Sequence, residues 1–258
     1  MVKWMAPTLL LAAGALAIGH VALADTLIGT DGPDWLRGTA LPDQLYGEGG
    51  DDHLFGNGAS DYLEAGPGDD SISGGSGVDL AIGGTGDDRI DAGSGSDVVY
   101  AGAGEDLVLG GAGNDTLFGQ AGADRLFGGP GGDSIYASDG DFVDAGSGAD
   151  RITSDAGDAT IDAGSGNDVV SAGGGRIEVD GGSGRDRIRT GAYADTVSGG
   201  GGPDWIDTAA GDDSIRVRDG RRDHVRCGPG RDRVRADAFD VLIGCERTWA
   251  PAARRHRR

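Results

Sequence analysis

Residues 110–118 read GGAGNDTLF, and the same grammar governs most of the chain. Asp115 is the sixth residue of this unit. Stepping nine residues at a time lands on aspartate again: Asp34, Asp43, Asp52, Asp61, Asp70, Asp79, Asp88, Asp97 and Asp106 behind it, Asp124 and Asp133 ahead. Two residues beyond each aspartate lies an apolar side chain, as in Leu36, Leu45, Leu54, Leu63, Val108, Leu117, Leu126 and Ile135; only Ala81 is small. An eight-residue unit at 137–144 shifts the phase, which resumes through Asp150, Asp168, Asp186, Asp195, Asp204 and Asp213. One extra residue precedes Asp223 and Asp232. Low-complexity bias does not keep Leu, Ile or Val locked to a fixed place after aspartate; a repeat architecture does.

Each position has a physical task. Gly111 and Gly113 permit positive φ, so six residues turn tightly with carbonyls aimed inward. Thr116-Leu117-Phe118 then forms a short strand whose alternation sends Leu117 inward and its neighbours outward. The outward residue after each aspartate is mostly polar, as in Gln44, His53, Ser71, Arg89, Arg125, Arg151 and Glu178. Stacked units of this kind give a parallel solenoid with two nonapeptides per coil. Residues eighteen apart then lie one above the other at strand spacing, about 4.8 Å.

That stacking creates an electrostatic problem. Two carboxylates about 5 Å apart repel by roughly 3 kcal/mol at an effective dielectric of about 20. A column of them needs counter-charge. Ca²⁺ suits the gap, because it takes hard oxygen ligands from carboxylates and carbonyls in tolerant geometry. Mg²⁺ demands a tighter octahedron and keeps its waters, and Zn²⁺ wants the His or Cys that the repeats lack. Turn capping explains single aspartates but not a column of them.

Composition agrees. The chain has 258 residues, 53 glycines, 8 prolines, 5% aromatics and a formal net charge of -21. Such a chain buries little apolar surface and without the repeat would read as disordered; collagen is excluded because glycine does not recur every third residue. Residues 25–215 are strongly acidic, whereas 216–258 are rich in arginine. The acidic body attracts cations and repels nucleic acid.

The N-terminus is expected to be a secretory signal over 1–24. Lys3, the apolar run Thr8 to Gly19 and Ala22-Leu23-Ala24 before Asp25 have the required order. An uncleaved anchor is the competing reading, since Trp4 to Ala24 is nearly long enough to span a bilayer. No second hydrophobic run follows, so the mature chain is expected to have no membrane span and to lie outside the cytoplasm. Residues 25–246 form the repeat body, and 247–258 read as a basic disordered tail.

The units GGSGVDLAI (74–82), GGTGDDRID (83–91), GGAGNDTLF (110–118), GGPGGDSIY (128–136), GGSGRDRIR (181–189) and GGGGPDWID (199–207) resemble the RTX, or hemolysin-type, calcium-binding nonapeptide GGxGxDxUx, with U a large apolar residue. The resemblance implies an all-β, right-handed parallel β-roll holding multiple Ca²⁺ ions between turns on both flanks. It also implies that the sixth-position aspartates and neighbouring turn carbonyls are the ligands. Those carried over are Asp70, Asp79, Asp88, Asp97, Asp106, Asp115, Asp124, Asp133, Asp150, Asp168, Asp186, Asp204 and Asp232. Early units such as GTALPDQLY (38–46) and GNGASDYLE (56–64) have irregular glycines and are expected to bind more weakly. Family members often join the repeats to a protease, lipase or toxin domain, and these residues show none. Many are exported through a C-terminal route, unlike a chain with an N-terminal signal.

On one flank the aspartates run unbroken from Asp43 to Asp223. The other meets Ala159 and Ile177 where carboxylates belong, so its ion column is expected to break around 155–180. Cys227 and Cys245 are eighteen residues apart, one coil. With Ile243 read as inward-facing, they are expected to stack within disulfide range and staple the last coil, an effect of about 3 kcal/mol. Two free thiols or a redox pair are the alternatives.

No HExxH, GxSxG, Walker or EF-hand pattern occurs, and His53 and His224 fall at outward positions. The reading is therefore a secreted, non-enzymatic, monomeric calcium-binding protein that folds on binding Ca²⁺. Its alternative is a calcium-dependent adhesin or cell-wall-associated module, with a cell-wall or surface polymer as partner at the cell surface.

Overall fold

The computed structural model describes residues 24–245 together with 247–248. The expected signal segment (all but Ala24) and most of the basic tail lie outside the described residues. Those described form two parallel sheets and no helix, with successive strands alternating between them. One sheet starts at Thr26–Ile28 and ends at Val241–Ile243; the other starts at Trp35–Arg37. Two consecutive strands and their two turns make one coil, and about a dozen coils stack into a β-solenoid matching a β-roll.

The register is the repeat made visible. Leu117 pairs with Val99 on one side and Ile135 on the other. Where the sequence shortens a unit, Arg125 pairs with Phe142 and Ser134 with Arg151, one residue short of the usual step. Where it lengthens one, Trp205 pairs with His224 and Ser214 with Arg233. Both adjustments are absorbed in turns, so each inward column continues: Leu36, Leu54, Ile72, Ile90 and Val108 on one sheet, Leu45, Leu63, Ala81, Val99 and Leu117 on the other, all buried. Outward residues stack coil on coil as well, and the Tyr100, Phe118 and Tyr136 rings lie with centroids 4.7 and 4.6 Å apart.

Glycine is needed where coils meet at the turns. Gly113 has φ +140, and a Cβ built there would lie 1.3 Å from the Gly95 carbonyl oxygen of the coil below. Glu48, Asn57, Ala59, Gln120 and Ala209 also adopt positive φ, a conformation disfavoured for residues with a Cβ.

The last coil departs from expectation. Its register is His224↔Val241, Val225↔Leu242 and Arg226↔Ile243, one residue short. Leu242 therefore takes the inward place and packs on the core, while Ile243 is 57% exposed. The inward reading of Ile243 is wrong because the Ala236–Asp240 turn is shortened. Cys227 and Cys245 are nonetheless bridged, with Cα atoms 5.1 Å apart. The final described strand, Arg247–Thr248, pairs with Arg233 and Val234.

Candidate metal sites

The sixth-position aspartates form ladders along both flanks. The Asp97 backbone N–H donates to Oδ1 of Asp115 at 2.8 Å, and Asp115 N–H donates to Oδ1 of Asp133 at 2.8 Å. The same bond links Asp43, Asp61, Asp79 and Asp97 below them, and Asp133, Asp150, Asp168, Asp186, Asp204 and Asp223 above. On the opposite flank it links Asp34, Asp52, Asp70, Asp88, Asp106, Asp124 and Asp141. Each aspartate's carbonyl also accepts a strand N–H from the coil above, as Asp97 O does from Thr116. The carboxylates are thus held at both ends of the residue.

The second ladder stops where the sequence loses its acid. Ala159 and Ile177 are buried in the carboxylate positions. Ala159 N–H turns to the Arg176 carbonyl at 3.3 Å. The ladder restarts with Ile177 N–H on Oδ1 of Asp195 and continues through Asp213 to Asp232.

The second carboxylate oxygen distinguishes two classes of turn. Oδ2 of Asp70, Asp79, Asp88, Asp97, Asp106, Asp115, Asp124, Asp133, Asp150, Asp168, Asp186 and Asp204 is buried without a hydrogen-bond partner, in turns that carry the glycine pair except at Asp124, where Gln120 takes the second turn position at positive φ. The same holds for Asp52, Asp61 and Asp223, which the sequence left outside the ligand set. In four other turns, which lack the glycine pair, the chain itself satisfies that oxygen. Thr30 N–H donates to Asp34, Thr39 to Asp43, Ser138 to Asp141 and Asp237 to Asp240. Asp240 belongs to the first ladder, since Asp223 N–H donates to its Oδ1 at 3.1 Å. It went unrecognised because the shortened last turn moves it out of phase.

Buried polar atoms in folded proteins almost always find partners, and a buried carboxylate oxygen without one is costly. A repeated column of such oxygens fits a hard cation that takes oxygen donors. Among the described residues no group of three or more His, Cys, Asp or Glu side chains gathers as a metal cluster. An outer lane adds charge on one flank: Asp69 N–H bonds Asp51 Oδ1, Asp87 N–H bonds Asp69 Oδ1, and Glu105 N–H bonds Asp87 Oδ1. The nine-residue period alone did not single out that lane.

Burial pushes the ladder carboxyls upward, against the lowering effect of the backbone donors. Asp88, Asp124, Asp186 and Asp223 rise to about 7. Asp52, Asp61, Asp97, Asp133 and Asp150 rise to about 6. Repulsion from the next carboxylate in the column adds to each of these shifts. A carboxyl raised in the fold binds more protons folded than unfolded between about pH 4 and 7, so its neutral form favours folding below that window and the gain is lost as pH rises through it. In chelator, circular dichroism is therefore expected to show strand structure strengthening from pH 7.5 to 5. Saturating cation should flatten that dependence, and a pH-independent apo protein would count against the buried-carboxylate geometry.

No helix among the described residues is long and apolar enough to cross a membrane. Among curated proteins, none matches the chain. The family described as RTX calcium-binding nonapeptide repeat (4 copies) matches in overlapping windows at residues 22–40, 28–62, 37–72, 55–83, 73–108, 82–117, 109–141, 118–150, 144–176 and 180–215. These windows cover most of the chain and carry both carboxylate ladders as far as Asp204 and Asp213. The chain belongs to the RTX calcium-binding nonapeptide repeat family.

Proposed function

We propose that this protein is a secreted calcium-binding protein without catalytic activity, and that Ca²⁺ entering between stacked turns completes its fold. The observation that carries the reading is the two columns of buried Oδ2 atoms left without a donor, among them Asp70, Asp88 and Asp106 on one flank and Asp79, Asp97 and Asp115 on the other. Asp70, Asp79, Asp88, Asp97, Asp106, Asp115, Asp124, Asp133, Asp150, Asp168, Asp186, Asp204 and Asp232 would hold the ions, with Asp52, Asp61 and Asp223 added. When bound, Ca²⁺ supplies positive charge and accepts oxygen donors that no N–H satisfies. Binding the folded state alone draws the equilibrium toward it.

The Cys227–Cys245 bridge supports an oxidising compartment, in keeping with a signal over 1–24 that is removed from a roll of 25–246 and a tail of 247–258. A non-catalytic role is supported by an interior filled with Leu, Ile, Val and Ala, and by the histidines' places. His53 packs tilted against Trp35 with ring centroids 4.2 Å apart, and His224 is exposed. Titration of the metal-free chain with Ca²⁺ or Mg²⁺, followed by circular dichroism, tests the reading. Ca²⁺ is expected to induce strand signal at concentrations where Mg²⁺ does not. Equal response to both ions would reduce the ladders to general charge screening.

A further inference from the structure

The outer face of the second sheet carries a lane of charge that the ladders do not use. Register places Asp144, Asp162, Asp180, Ser198, Arg216 and Arg235 in one column, one residue per coil. Asp162, Asp180, Arg216 and Arg235 are exposed. Three acids thus stack on one side of a neutral serine and two arginines on the other. Within one chain this order is unfavourable: like charges are neighbours at about 4.8 Å, and Asp180 lies two strands, about 10 Å, from Arg216. Burial, and then the charges of Asp144 and Asp180, hold the Asp162 carboxyl above its ordinary value.

We propose that this face is the contact between two copies of the chain, packed with their solenoid axes antiparallel about a two-fold axis along the Thr196–Ser198 strand. Such an axis reverses the order of coils while keeping each lane opposite itself. Ser198 then meets its own symmetry mate, Asp180 faces Arg216 of the other copy, and Asp162 faces its Arg235. In the neighbouring outward lane Thr160 falls opposite Arg233, and Glu178 opposite Ser214. A two-fold along the solenoid axis would set aspartate on aspartate and arginine on arginine, so charge selects the antiparallel arrangement. The contact is isologous and closes at two. It differs from the monomer expected from sequence, and it holds or fails independently of the ion ladders.

The facing strands are few, so the dimer falls in the weak, charge-directed class below about 1,200 Å². Sedimentation velocity of the full chain in saturating Ca²⁺ is expected to show dimer at about 50 mM salt, with the dissociation constant weakening about tenfold or more by about 500 mM. R216E/R235E and D162R/D180R should each be monomeric at low salt, because each gives positions 162, 180, 216 and 235, the ones that face the other copy, a single sign. Mixed in equal amounts they should form a heterodimer. Asp162 and Asp180 also accept N–H bonds from Gly164 and Gly182, so circular dichroism must confirm that the second variant folds. D162N/D180N, which keeps those acceptors, should lose dimer as well. A wild type monomeric at low salt, charge variants that dimerise unchanged, a mixture that stays monomeric, or assembly beyond two would each overturn the proposal.

Discussion

Asp115→Asn is expected to destabilise the protein in millimolar Ca²⁺ and to leave it unchanged or more stable in chelator. The amide keeps an oxygen for the Asp97 N–H, which bonds Asp115 Oδ1 at 2.8 Å. It replaces the buried, donor-less Oδ2 with an NH₂ group. With cation present, the substitution removes a charged ligand from a buried pairing, a loss of about 3–5 kcal/mol. Without cation, it removes an uncompensated buried charge, and the sign reverses. The denaturant midpoint in calcium and the residual strand signal by circular dichroism in chelator measure the two sides of this. Asp43→Asn is the contrast, because its Oδ2 already accepts the Thr39 N–H at 2.5 Å. Its cost should be the same with and without calcium. Were Asp115→Asn to behave like Asp43→Asn, the two classes of turn would be chemically equivalent and the ligand assignment would fall.

Gly113→Ala should be among the most damaging single changes, at 4 kcal/mol or more on the order-of-magnitude scale of severe core lesions. The backbone at φ +140 disfavours any side chain, and the new Cβ would lie 1.3 Å from the Gly95 carbonyl oxygen. The coil must open to admit it. Gly132→Ala provides the control within the adjoining coil. There φ is not positive, and a built Cβ meets the Ala149 carbonyl oxygen at 3.4 Å, an ordinary contact. That substitution should stay within about 0.5 kcal/mol of wild type. Thermal melts of the two variants in calcium compare them, and equal stability would mean the coils are not stacked as described.

Much of this architecture is legible in the sequence because a solenoid repeats one local problem. Leu117 could be placed inward, and Asp97, Asp115 and Asp133 in one column, from period alone. The loss of carboxylate at Ala159 and Ile177 was equally plain, since two apolar residues fall where the count requires acid. Period fails where turn length changes. At the last coil a one-residue shortening puts Leu242 inward and Ile243 outward, and it brings Asp240 into the ladder. A strand tolerates no slip, because one residue exchanges its faces, so turns absorb the difference and composition does not record it.

The carboxylates' second oxygens were less accessible still. Asp34 and Asp43 share the nine-residue spacing with Asp115, yet their Oδ2 atoms accept N–H groups from Thr30 and Thr39. The distinguishing signal lies in the turn residues. A positive-φ glycine in the second turn position directs the N–H elsewhere, whereas threonine there presents it to the acid. Irregular glycines in the early units therefore mark a change of partner for the carboxylate, and Asp52 and Asp61 show that irregular glycines do not always produce it.

The charge lane of the second sheet was visible in sequence only as a shift from acidic to arginine-rich composition. Its organisation requires the coil register. Asp180, Ser198 and Arg216 are eighteen residues apart in succession, and only stacking makes them neighbours.

The most direct test of the central claim is far-ultraviolet circular dichroism of the protein at neutral pH, in EDTA and again after calcium is restored. The account predicts little strand signal in EDTA, because the buried carboxylates of both ladders then lack counter-charge, and full, reversible recovery in millimolar Ca²⁺. Identical spectra and identical thermal midpoints in the two buffers would contradict it.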